Sequence, residues 1–185
     1  MIYPIIAYGD PVLKKKAVNI EKGSMDVKKL SEDMFETMYQ ANGVGLAAPQ
    51  IGKSLRMFVV DASPMQEDED APAFKRVFIN PEILEQNGAE WPFEEGCLSI
   101  PGIREQIIRN QKLTIKYWDE NWEEKQETLD DIHARIVQHE YDHIEGVLFT
   151  DYLSTFKRRL LKGKLANISK GKVDADYRMA FPIKK

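Results

Sequence analysis

The 185-residue chain holds a single cysteine, Cys97, so no disulfide can form within it and no disulfide partner is expected. No apolar run approaches the roughly 18 residues that span a bilayer, so no membrane segment is expected. Residues 1–10 lack a positively charged leading stretch and break at Pro4 and Asp10. No secretory signal is expected, and the cytoplasm is the expected address. There is no internal repeat. Basic side chains are outnumbered, 26 against 30 acidic, and a pI near 5.5 speaks against a general nucleic-acid binder. What remains is 43% apolar and 30% charged content, the balance of an ordinary globular domain with a core to bury.

Hydrophobic spacing sorts the chain into elements. Val27, Leu30, Met34, Met38 and Ala41 step by three or four, which predicts an amphipathic helix over 24–41, capped by Ser24 and stopped at Asn42-Gly43. Residues 56–61 read as a buried strand, and the Pro- and acid-rich stretch 62–75 as a solvated loop. Further strands are expected at 77–80, near 83–85 and at 113–118, the last followed by the turn signal Asp119-Glu120-Asn121. Helical patterns return over 131–145 and from Tyr152 onwards. In the latter, Tyr152, Leu153, Phe156, Leu160, Leu161 and Leu165 oppose Lys157, Arg158, Arg159, Lys162 and Lys164. That basic side reads as a solvated face, with docking onto an acidic or RNA-rich partner as the sharper alternative. Strands in the middle and helices later favour the α+β class with largely antiparallel sheet.

The richest chemistry lies in Gln138-His139-Glu140-Tyr141-Asp142-His143, an HExxH pattern within a helical frame. Residues four apart share a helix face, so His139 and His143 can aim imidazole nitrogens at one ion. Glu140 sits within reach of a water activated by that ion without being a ligand itself. Ile132, Ile136, His139 and His143 fall at intervals of four, three and four, so the histidines continue an apolar face. A catalytic site needs a third protein ligand. No histidine follows His143, and Glu145 lies too close behind it for good geometry, which leaves Cys97 in Glu94-Glu95-Gly96-Cys97-Leu98-Ser99. Metal-assisted hydrolysis is the leading reading. An endopeptidase and a scaffold with a purely structural metal site are its rivals.

Three segments occur in order: Gly43-Val44-Gly45-Leu46-Ala47-Ala48-Pro49-Gln50, Glu95-Gly96-Cys97-Leu98-Ser99, and the HExxH stretch. Together they closely resemble the three signature motifs of the peptide deformylases, from Asp10-Pro11-Val12-Leu13 to about Leu153. The resemblance implies antiparallel β-sheets packed around a central helix that carries the HExxH motif, with a C-terminal helix. One catalytic domain over 1–168 and a C-terminal tail over 169–185 are then expected. It implies removal of the formyl group from N-formylmethionyl nascent peptides, with release of formate. It makes Cys97, His139 and His143 the ligands of one divalent ion, Fe2+ natively, with Zn2+, Ni2+ or Co2+ as substitutes. Glu140 becomes the general acid/base, and Gln50 and the Leu98 N–H the oxyanion donors. The peptide would pair with Val44 and Gly45, beside Gly96, and its methionine would enter a pocket of Val44, Phe93, Ile132 and Ile136 with Arg104 at the mouth. Arg135 is more polar than a pocket wall should be, and is expected either to trim the pocket or to face solvent. The basic helix is a possible ribosome-docking surface.

Overall fold

A computed structural model describes residues 1–182. Its centre is an antiparallel sheet in which β2 (Gly45–Ala47), β3 (Met57–Asp61), β4 (Lys75–Cys97), β5 (Ile100–Trp118) and β6 (Glu124–Asp130) follow one another in order. Side-chain alternation along the strands divides the interior. Phe58, Val60 and Phe78 face one core with Leu113, Ile115 and Tyr117, whereas Met57, Val59, Val77 and Ile79 face another. Helix α1 (Val27–Gln40) covers the second core with Val27, Leu30, Met34, Phe35 and Met38. Helix α2 (Asp131–Ile144) covers the first with Ala134, Ile136, Val137 and Ile144. The HExxH helix is therefore interior, as the α+β expectation requires.

The boundaries differ from the sequence reading in instructive ways. Asp26, not Ser24, caps α1: its carboxylate accepts the Lys29 N–H at 3.0 Å, while Ser24 bonds back to the Glu21 carbonyl. The fragments expected at 77–80 and 83–85 belong to one 23-residue strand, β4, which runs past Pro81, Asn87-Gly88 and Pro92. Register shifts at Ile79/Glu82 and Asn87/Glu90 absorb Pro81 and Asn87-Gly88 as bulges, a further shift falls at Ile83/Glu85, and Pro92 stays in register opposite Ile108. The solvated stretch 62–75 is pinned at both ends, since Ala62 and Phe74 are buried.

Helix α2 ends in a paired cap. Gly146 adopts φ 75°, its N–H reaches the His143 carbonyl, and the Val147 N–H reaches that of Asp142 at 2.9 Å. A Cβ at 146 would also lie 2.7 Å from the Lys14 carbonyl oxygen, so the stop is specified twice. The basic helix α3 (Thr155–Ser169) begins after Ser154, and Tyr152 precedes it in a 3-10 turn. Its Leu165 and Ile168 join Ile100, Ile103, Ile107 and Phe149 in a third cluster. Phe156 and Leu160, on the apolar side in sequence, are 70% and 66% exposed. The residues after α3, expected as a tail, return across the molecule. Met179–Ala180 (β7) pairs in parallel with Ile5–Ile6 (β1).

Candidate metal centre

The β4–β5 hairpin and α2 meet at the site. Cys97 closes β4, and one turn of α2 separates His139 from His143. The Cys97 sulfur and one nitrogen of each ring lie within 4.8 Å of one another. Cys97 Sγ is 3.4 Å from His143 Nε2. That separation suits two ligands sharing an ion with bonds of roughly 2.0–2.3 Å. His139 Nδ1 is held by Glu95 Oε1 at 2.8 Å, which leaves its Nε2 for the ion. Among the described residues this is the one cluster of three or more metal-ligating side chains, and it has three members where a closed structural zinc site has four. Glu145, already disfavoured as a ligand, is turned away onto Arg56 and Lys16.

Around this centre the other expected residues converge. Glu140 is buried, and its Oε2 meets no hydrogen-bond partner among the described residues. Burial pushes its carboxyl up to about 7, the range in which a side chain can both take and return a proton at neutral pH. Gln50 is oriented by the Ala47 N–H, which donates to its Oε1 at 2.9 Å. Its Nε2 is thereby aimed at Cys97 Sγ (3.5 Å) and Ser99 Oγ (3.2 Å). Leu98 occupies the turn immediately beyond the sulfur. A cavity of about 570 Å³ opens beside these groups, and Val44, Gly45, Phe93, Gly96, Arg104, Ile132 and Ile136 all line it. Arg104 is mostly exposed and held by Glu94. The bare backbone at Gly45 has a use other than the expected one. A Cβ there would lie 2.7 Å from Glu140 Cδ, so the missing side chain makes room for that carboxylate. β2 nevertheless remains the edge strand of the sheet, and Val44 and Gly45 at its start line the cavity.

Arg135 does not face solvent. It is 2% exposed, donates to Glu95 Oε2 (2.8 Å), to the Ile107 carbonyl (2.8 Å) and to that of Trp91 (2.6 Å), and lies over the Trp91 ring. The sequence reading also missed the network it belongs to. Glu95 receives a fork from Arg109 (2.7 and 3.0 Å) besides Arg135 and His139. Burial alone would raise the Glu95 carboxyl, but its bonds with His139 and Arg109 outweigh this and hold it far below the usual carboxylate range. Arg109 continues to Asp142 at 2.7 Å, which accepts from Tyr152 at 2.8 Å. Two arginines facing two carboxylates leave no net charge buried. A second omission is the chain's end: Asp174, Ala175, Asp176 and Tyr177 line the cavity too.

The fit of this arrangement to known proteins is close. The sequence model of the family described as Polypeptide deformylase matches residues 2–159. The chain belongs to the polypeptide deformylase family. It is 63% identical over 185 residues to the peptide deformylase of Cytophaga hutchinsonii, with all of both chains covered. It superimposes on the crystal structure of a peptide deformylase from Legionella pneumophila with a TM-score of 0.81 and 40% identity, covering 93% of this chain and 98% of that one. For the peptide deformylase from Thermus thermophilus the TM-score is 0.82, with 38% identity and 92% and 99% covered. The chain is thus an enzyme, a deformylase that removes the N-formyl group from newly made polypeptides. The family implies a divalent metal, and the Cys97, His139 and His143 cluster is a possible site for it. No helix among the described residues is long and apolar enough to cross a membrane.

Proposed function

We propose that Cys97 Sγ, His139 Nε2 and His143 Nε2 hold the divalent ion, and that Glu140, Gln50 and Leu98 carry out deformylation around it. The observation that carries this reading is convergence. One sulfur and two ring nitrogens lie within 4.8 Å of one another, with a buried, unpartnered carboxylate oxygen and an oriented amide N–H beside them. A divalent ion in that position supplies Lewis acidity, which brings water into the range where it attacks at neutral pH. Glu140 takes the proton of the attacking water and returns it to the departing amine. As negative charge develops on the formyl oxygen, Gln50 Nε2–H and the Leu98 N–H donate to it. Loss of one such donor costs about 10²–10³ in kcat in comparable sites.

The peptide adds to the open edge of β2 through the Val44 and Gly45 main chain, alongside Gly96. Its methionine side chain occupies the apolar walls made by Phe93, Ile132 and Ile136, and Arg104 stands at the mouth. The ion is Fe2+ in the native enzyme, with Zn2+, Ni2+ or Co2+ able to replace it. A thiolate with two imidazoles accepts each of these. The working compartment is the cytoplasm, where a free thiol stays reduced.

Formate release from a formyl-methionyl tripeptide, measured beside anaerobic metal analysis, tests the assignments together. Glu140→Ala should retain one ion per chain and lose about 10²–10⁴ of kcat. A metal-loaded Glu140→Ala enzyme with full turnover would remove the acid/base role. The ribosome is the proposed docking partner of α3, whose Arg158, Arg159, Lys162 and Lys164 form a basic surface without acidic residues in the helix. Cutting the chain after Leu153 cannot test this, since Leu165 and Ile168 are core residues. Arg158→Glu with Lys162→Glu should abolish co-sedimentation with ribosomes, and unchanged co-sedimentation would end that idea.

A further inference from the structure

The cavity has a wall that the three motifs do not supply. Asp174, Ala175, Asp176 and Tyr177 line it from the segment after α3, beyond residue 159 where the family match ends. This segment is anchored by its own short strand. The Ile5 N–H donates to the Arg178 carbonyl at 2.9 Å, and the Ala7 N–H to that of Ala180 at 2.8 Å. Next to the anchor, the Tyr177 hydroxyl donates to the Leu98 carbonyl at 2.7 Å.

Leu98 and Ser99 form the two-residue turn between β4 and β5, across which Cys97 faces Ile100. The turn is gripped from two other places. Gln50 Nε2 donates to Ser99 Oγ at 3.2 Å, and the Tyr8 N–H donates to the Ser99 carbonyl at 2.9 Å. Tyr8, Gln50 and Tyr177 are far apart in sequence and converge on two residues. Ser99 receives two of the three bonds, and Tyr177 alone holds the Leu98 carbonyl.

We infer that Tyr177 is a positioning residue for deformylation, fixing through the Leu98 carbonyl the turn whose Leu98 N–H faces the developing oxyanion. This rests on the reading of Leu98 as an oxyanion donor given above. The physical reason is the narrow tolerance of such donors, which must lie 2.7–3.1 Å from the place where charge develops. The Leu98–Ser99 peptide plane, once released from Tyr177, rotates about the same residue that presents the N–H. Small misplacements of this kind cost up to about 10²-fold in rate. Tyr177 touches neither the metal ligands nor Glu140 by hydrogen bond, so its effect belongs to alignment.

Tyr177→Phe keeps the ring and removes only the hydroxyl. In the full-length, metal-loaded enzyme it should lower kcat for a formyl-Met-Ala-Ser peptide by about tenfold, with KM within twofold and with unchanged metal content and Tm. The Gln50→Ala/Tyr177→Phe double variant should lose less than the product of the single losses, because both act on one hole. A Tyr177→Phe kcat within twofold of wild type overturns the proposal, as does a loss accompanied by lost metal, or fully additive losses in the double variant. Gln50→Ala, measured alone, is the companion test. If it lowers kcat and Tyr177→Phe does not, only the positioning role fails. If Gln50→Ala leaves kcat unchanged, Gln50 is no oxyanion donor, and Tyr177→Phe alone then decides the positioning role through Leu98.

Discussion

Helices α2 and α3 have 14 and 15 residues and sit on opposite terms with the rest of the molecule. In α2, nine residues from Ala134 to Ile144 are buried, among them Arg135, Gln138, His139, Glu140 and His143. In α3 only Leu165 and Ile168 are buried, while Phe156 and Leu160 stand in solvent. The inner helix buries polar groups and the outer one exposes apolar groups, each against its ordinary tendency. Each inversion marks a use. Buried Arg135 and His139 on α2 are tolerable because Glu95, itself gripped by Arg109, answers them, and the result is a rigid mount for the site. Exposed apolar side chains on α3 cost little and leave a surface free for contact.

The comparison breaks most readily at Glu95. Glu95→Ala should leave Arg135 as an uncompensated buried charge and Arg109 with Asp142 alone, destabilising the fold by about 3–5 kcal/mol in urea unfolding. It should also weaken metal binding by about 10–100-fold in competition with a chelator, because His139 loses the group that orients it. Arg135→Met is a milder test. It keeps an apolar stem on Trp91 and removes the side-chain donor to Glu95 and to the Trp91 and Ile107 carbonyls, with an expected cost of about 1–3 kcal/mol.

Acid should find the same place. Glu95 is held far below its ordinary carboxylate range, so its contribution to stability is complete above about pH 4.5 and is lost as the pH falls below that value. The Tm of wild type should therefore decline from about pH 5 to pH 3 more steeply than that of Glu95→Gln, measured by calorimetry. Parallel slopes would mean that the network carries no such share. The smallest effect is expected on the outer helix. Phe156→Ser with Leu160→Ser should shift unfolding by no more than about 0.5 kcal/mol and leave turnover of a short formyl peptide unaltered. A larger change would show that α3 is packed as α2 is.

The same contrast explains what was legible in the sequence. His139 and His143 could be read because helical spacing converts directly into a shared face, and Cys97 because no other third ligand was better placed. The fold class followed from the order of patterns. The 23-residue β4 could not be read, because Pro81, Asn87-Gly88 and Pro92 are terminators by local rule, whereas in a sheet that β5 completes the first two sit in bulges and Pro92 pairs in register with Ile108. Glu95 stood inside a quoted motif, yet its role depends on Arg109 and Arg135, which approach from other elements and leave no spacing signal. The exposure of Phe156 and Leu160 was hidden for the opposite reason, since amphipathic periodicity predicts a buried stripe whether or not anything lies opposite it. Tyr177 belongs to a stretch read as tail, and only the pairing of β7 with β1 brings it to the site.

Gly45 carries a last consequence. Because any side chain at that position would strike Glu140, an inhibitor that rests against the bare backbone there leans on a surface that can change only if that carboxylate moves. On the proposed reading of Glu140 as acid/base, enlargement at residue 45 would displace that carboxylate and lower turnover.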